Sequence, residues 1–369
     1  MIHLSEPTLS GREREYVLDA LALGELSGNG SYVERFEQAF AAFCGAKHAV
    51  ACCNGTVALH LALLALGVGP GDDVYVPALT YVATANAVTY CGARPVFCDV
   101  NVRTWCIEPA EIGKAIKRSE MEGRHPAAII PVHLYGVPAS MDAILRFELP
   151  VIEDAAQAHG AYYRGCHVGS LGALATFSFF GNKILTTGEG GMVVTSSGNL
   201  DEKLRLLRGQ GMTARYVHPV IGYNYRMGNL QAALGLAQVE NFEALRRSRL
   251  AVARRYAAKL GDVAKPCQGE PGSIPAHWLY TVLVPEGCDR DRVMTLMLED
   301  GIETRPVFVP LLDLPPYQSG LTVSPFARGI AKRGISLPTH ASLSLQAVDV
   351  IVESFQRAVR LAMVSHVAA

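Results

Sequence analysis

Apolar residues recur along the first two-thirds of the chain in short continuous runs separated by polar or glycine-containing turns. The runs at 48–53, 73–76, 95–99, 127–132, 150–154, 176–179 and 191–195 have strand length and predict buried strands. Between the first two, 56–66 is longer and apolar on all sides, which predicts a buried helix closed by Gly67. Further helices are expected at 81–90 and, more polar, at about 108–117. Apolar strands alternating with helices predict an α/β fold whose mostly parallel sheet is covered on both faces. The pattern changes after Tyr225. A helical run at 227–255 leads to strands at 280–284 and near 303–307, a helix at 291–299, a proline-rich loop at 310–316 and a last helix at about 345–363. The expected division is a large domain, 12–250, and a small α+β domain, 251–369, joined by residues 1–11.

Composition adds mainly exclusions. Of the 369 residues half are hydrophobic and 18% charged, with 33 basic against 34 acidic side chains, so charge gives no support to a nucleic-acid or membrane partner. No stretch of about 18 apolar residues is free of glycine, proline or charge, and the N-terminal segment lacks the apolar core of a signal peptide. The nine cysteines include no C-x-x-C pair, and several lie in strand-like runs. They are expected to be reduced cysteines of a cytoplasmic protein. No H-E-x-x-H or similar ligand spacing is present, so no catalytic metal is expected.

Three segments carry candidate chemistry. Asn54-Gly55-Thr56 stands where a strand gives way to a helix, and the free N–H groups of a helix start suit a phosphate, although such a triplet is equally a plain cap. Glu153-Asp154 ends an apolar strand, where ligands gather in open α/β sheets. A buried acid there needs a cationic partner, although a helix-capping or loop acid would read the same way. Lys183 lies in Phe177-Ser178-Phe179-Phe180-Gly181-Asn182-Lys183-Ile184-Leu185-Thr186-Thr187-Gly188-Glu189-Gly190-Gly191, a small-residue loop after an aromatic run. Desolvation makes an ε-amine easier to deprotonate and so favours imine formation. Phosphate cradle, strand-end acid and lysine, in that order, form the set a pyridoxal 5'-phosphate (PLP) enzyme requires. The lysine bonds the cofactor, and the acid keeps its pyridine nitrogen protonated.

These segments, with Gly24-Glu25-Leu26-Ser27-Gly28-Asn29-Gly30, Val76-Pro77-Ala78-Leu79-Thr80-Tyr81, Glu153-Asp154-Ala155-Ala156-Gln157 and Asn224-Tyr225-Arg226-Met227, make the chain similar to the DegT/DnrJ/EryC1/StrS family of PLP-dependent sugar aminotransferases. The similarity covers nearly the whole length. Ser178-Phe179-Phe180-Gly181-Asn182-Lys183 and Glu303-Thr304-Arg305-Pro306-Val307-Phe308 resemble the perosamine synthase branch, which aminates C4 of GDP-4-keto-6-deoxymannose. The resemblance implies fold type I, aspartate-aminotransferase-like, with a mostly parallel seven-stranded sheet and a small C-terminal α+β domain. It implies catalysis by Lys183 and Asp154 and cofactor contacts from Gly55, Thr56, Tyr81, Asp154, Gln157, Ser178 and Lys183. It further implies that Asn224 reaches the phosphate from the neighbouring subunit of a homodimer whose active site is shared. The expected substrates are a nucleotide-linked 4-keto-6-deoxysugar and an amino-acid donor, glutamate. A 3-keto sugar or a keto-cyclitol remains open as the acceptor. Lysine at 183 argues against the deoxygenating branch, which carries histidine there, and the chain has no room for the fused domain of a non-catalytic regulator. His133 and His159 stand close to these segments without an assigned role. The loop 310–317 and the segment 24–32 are expected to shape the sugar-nucleotide site.

Overall fold

Seven strands take up the apolar runs: β1 (His48–Cys52), β2 (Asp72–Pro77), β3 (Arg94–Cys98), β4 (His125–Ile129), β5 (Ile152–Asp154), β6 (Leu174–Ser178) and β7 (Gly191–Thr195). β5, β6 and β7 are buried at every position, which is why they read as unbroken apolar runs rather than as alternation. In this computed structural model, which describes residues 1–318 and 324–363, β3-β2-β4 form one parallel set. The order β5-β6-β7-β1 forms a second set, in which β5 and β6 are parallel and β7 runs antiparallel to both its neighbours. Isolated parallel bridges Ile129–Val151 and Val132–Asp154 join the two sets edge to edge. The layer is therefore α/β and mostly parallel, with its ladder thinned between β4 and β5.

Helix α1 (Glu13–Ala22) and helix α2 (Ser31–Cys44) pack against the helix Asn229–Glu240. Neither α1 nor α2 was among the expected elements. In α2 the signal was available, since Tyr32, Val33, Phe36, Phe40 and Cys44 recur at helical spacing and all are buried. In α1 it was weak, because Leu18 and Leu21 face solvent. Helix α3 (Gly55–Leu66) ends at Gly67, whose φ of 82° is the left-handed closing conformation. Helix α4 (Ala83–Tyr90) begins two residues later than its apolar run and leaves Tyr81 in the preceding loop.

The helical run 227–255 is two helices, Asn229–Glu240 and Phe242–Leu260, broken at Asn241. The apolar spacing is continuous across the break. At Asn241 the backbone leaves helical geometry, with φ −96° and ψ 5°, and its side chain donates to Ser10 Oγ at 2.8 Å. In the last third a four-stranded antiparallel sheet runs in the order Lys265–Pro266, Tyr280–Leu283, Gly334–Leu337, Arg305–Pro306. The helices Arg290–Glu299, Leu345–Ala362 and the second half of Phe242–Leu260 share a buried apolar cluster with it. The larger cluster under β1–β7 also takes in Trp278, Leu279, Val307 and Leu311, so the later segment returns to the mouth of the first.

Candidate active site

Strand alternation sends the two acids at the end of β5 to opposite faces, and their surroundings differ. Glu153 accepts from His133 Nε2 at 3.1 Å and from the N–H groups of Gly169, Leu171 and Gly172 at 3.0, 2.8 and 2.8 Å. Burial opposes its charge, but these donors prevail and hold its pKa below the usual carboxylate value. His133 Nδ1 accepts the Ala139 N–H at 3.0 Å, which leaves Nε2 as the nitrogen that donates to Glu153. His133 is thus a framework residue beneath the site.

Asp154 has fewer partners. It accepts the Thr84 hydroxyl at 2.8 Å and the Ala156 N–H at 3.2 Å. Burial therefore dominates and raises its pKa, with Lys183 among the weaker opposing influences. A buried acid in this condition is stabilised by a cation brought next to it.

At the end of β6 and just after it the chain packs Phe177 and Phe179 into the core and turns Ser178 and Lys183 towards a cavity. The Lys183 ammonium lies 4.0 Å from the centre of the Trp278 ring. Lys183 is half-buried at the cavity, and desolvation lowers its pKa to about 8, against an opposing pull from Asp154.

Asn54 caps α3 by accepting the Val57 N–H at 2.9 Å, which leaves the N–H groups of Gly55 and Thr56 without intrahelical acceptors. A side chain at 55 would place its Cβ 2.7 Å from Ser178 Cβ, so glycine is required for α3 to approach the end of β6 this closely. The cap reading and the cradle reading of this triplet are therefore compatible.

The cavity encloses about 690 Å³ and brings together Gly55, Thr56, Tyr81, Asp154, Gln157, Ser178 and Lys183. Gln157 Oε1 accepts the Tyr135 N–H at 2.7 Å, which leaves its amide nitrogen as the free donor. Tyr81, 58% exposed, lies 5.9 Å from Phe308. Asn224 is exposed and does not line this cavity within the chain. Neither do 24–32 and 310–317; Gly28, Asn29, Gly30 and Ser31 line a separate cavity of about 440 Å³. His159 is buried among Phe40, Phe177 and Phe179, where desolvation keeps it neutral. The sequence reading missed Thr84, Tyr135, Trp278 and Arg305. Thr84 carried a usable signal, a hydroxyl in the first turn of a helix that follows a strand, whereas Trp278 and Tyr135 carried none.

The nine cysteines are all free, and Cys44, Cys52, Cys91, Cys98 and Cys106 are buried. Among the described residues no helix is long and apolar enough to cross a membrane, and no group of three His, Cys, Asp or Glu could hold a metal ion.

A mostly parallel sheet with an enclosed lysine facing a buried acid at its carboxyl end is the arrangement of a PLP-dependent transferase. Over residues 7–356 the chain matches, and belongs to, the DegT/DnrJ/EryC1/StrS aminotransferase family. A GDP-perosamine synthase of Caulobacter vibrioides is 47% identical, with 96% of this chain and 98% of that one aligned. Among solved structures, DesV of S. venezuelae superposes with a TM-score of 0.87 at 34% identity over 94% of each chain. Spr1654 from Streptococcus pneumoniae, in its PLP form, gives 0.91 at 25% identity over 98% of this chain and 99% of that one. The protein is accordingly a PLP-dependent aminotransferase of fold type I.

Proposed function

We propose that the chain moves an amino group from glutamate to the C4 keto group of a nucleotide-linked 4-keto-6-deoxysugar, with GDP-4-keto-6-deoxymannose the first candidate. The observation that carries this reading is the presence of Lys183 and Asp154 in one cavity with their pKa values displaced in opposite directions, the lysine down and the acid up. The similarity to a GDP-perosamine synthase supports the choice of sugar.

The residues fit PLP. The Gly55 and Thr56 N–H groups and the Ser178 hydroxyl form a polar cradle at a positive helix end, suited to its phosphate. Asp154 accepts only from Thr84 and Ala156, with Lys183 acting on it at longer range, and would gain a directly bonded cationic partner in the pyridinium N–H. The free Gln157 amide would donate to the ring oxygen, and Tyr81 offers a flat face. When bound, PLP supplies an electron sink for negative charge developing at the carbon that bears the migrating nitrogen. Lys183 Nζ, with a pKa of about 8, is deprotonated in a useful fraction near neutrality. It takes the proton from the donor's α-carbon in the first half-reaction and delivers a proton to the sugar carbon in the second. Arg305 at the cavity wall supplies positive charge towards a diphosphate.

The absorbance spectrum of the purified protein, with and without glutamate, tests this. Glutamate should convert the visible cofactor band to the pyridoxamine form, and the keto sugar should restore it. An inert response to glutamate removes that donor, and failure to bind PLP removes the whole reading.

We also propose a homodimer in which Asn224 serves the partner's phosphate. Its exposure away from its own cavity supports this. Mixing the inactive variants Lys183→Ala and Asn224→Asp should then restore activity, because one site of the hybrid holds both native residues. No recovery in a hybrid of demonstrated composition would place Asn224 outside a shared site.

A further inference from the structure

Trp278 is 5% exposed, and its indole makes two different contacts with one loop. Its Nε1–H donates to the Asn182 carbonyl at 2.7 Å, while its ring face lies 4.0 Å from the ammonium of the next residue, Lys183. One side chain thus holds both the backbone before the lysine and the lysine's charged end. No aliphatic side chain could do either, and phenylalanine could do only the second.

The backbone of Trp278 is itself held in place. Buried Arg249 donates from Nη1 to the carbonyls of Trp278 and Thr339, each at 3.1 Å, tying the segment to the later sheet. Trp278 also stacks on Tyr135 at 6.0 Å with 12° between the rings, and Tyr135 stacks on Phe308 at 5.5 Å and 9°. Two of the three segments in this stack carry a non-glycine residue in the left-handed region, Tyr135 at φ 53° and His277 at φ 52°. The Ala276 N–H donates to the Gly136 carbonyl at 2.9 Å and locks the two segments together.

We propose that Trp278 is a positioning residue for Lys183. It parks the ammonium on its indole face whenever the lysine is not bonded to the cofactor and fixes the loop through the Asn182 carbonyl. The assignment rests on Lys183 being the cofactor lysine. The other groups facing this amine are the Asp154 carboxylate from the end of β5, buried neutral His159 behind it, and Glu189 and Arg305 on the cavity wall. Asp154 and the indole both favour the protonated amine, and burial opposes them.

The test uses cofactor-free full-length protein, labelled with acetic anhydride across a pH series and read at the Lys183 peptide by mass spectrometry. Removing a π-face that favours the cation makes the amine lose its proton at lower pH. Trp278→Leu should lower the labelling midpoint by roughly one unit, and Trp278→Phe should lower it by less. The pH dependence of kcat should shift in the same direction. Unchanged midpoints in both variants, or a midpoint that rises in the leucine variant, overturn the proposal. The phenylalanine variant nearly conserves the packing and keeps the test valid if the leucine variant folds poorly. Failure of the parent to bind PLP would remove the cofactor reading and leave the Trp278–Lys183 contact to be judged by the labelling alone.

Discussion

Lys183→Ala should abolish multiple turnover, with kcat falling by about four orders of magnitude or more. General acid–base catalysis alone is worth about 10²–10⁴-fold, and this lysine is assigned both the covalent attachment and the proton transfers. The cavity offers no ready substitute. His159 has its ring buried among three phenylalanines, where desolvation keeps it neutral, and His133 is committed to Glu153 and the Ala139 N–H. The variant should still hold PLP, because the α3 cradle, Ser178 and Asp154 do not depend on the lysine. Its visible band should move to that of free cofactor. Steady-state assay with glutamate and the keto sugar, run beside a spectrum, measures both; sustained turnover would refute the role of Lys183.

Asp154→Asn is expected to lower kcat by roughly 10²–10³-fold, the usual scale for removing one preorganised electrostatic partner of a developing charge. The amide keeps the shape and can keep the bond from Thr84, so the loss isolates the charge. A neutral residue no longer favours a protonated ring nitrogen, and the electron sink weakens in both half-reactions. The rates of the glutamate and keto-sugar half-reactions, measured separately by stopped-flow absorbance, should fall together. A loss confined to one of them, or none, would show that Asp154 does not act through the ring nitrogen.

The parts of this site that could be read from the sequence are those set by local constraints. Asp154 ends a strand, Asn54-Gly55-Thr56 opens a helix, and Lys183 sits in a run of small residues after an aromatic strand; each leaves a mark within a few positions. The strands were legible for the same reason, since a strand buried on both faces has no polar positions to confuse the pattern. Trp278 and Tyr135 left no such mark. They reach Lys183 and Gln157 across long sequence separations, and the backbone that carries them passes through positive φ at Tyr135 and at His277, the residue before Trp278. The break at Asn241 was hidden because apolar spacing continues through it, and only the backbone dihedrals at Asn241 show where the first helix stops. The exposed position of Asn224 shows that one chain does not bring every expected contact into one cavity.

The adjacency of Glu153 and Asp154 has a consequence for how this chain can tolerate change. The two acids differ by one methylene and one position, yet one anchors the loop at 169–172 and the other faces the cavity. Their assignment is a matter of parity. Insertions in the turns before β5 can be absorbed at the surface, but one residue gained or lost within the strand itself would exchange the two faces. The longer acid would then enter the cavity, and the shorter one would stand before N–H groups it cannot span. Length is negotiable in the loops around this strand, and odd or even is not.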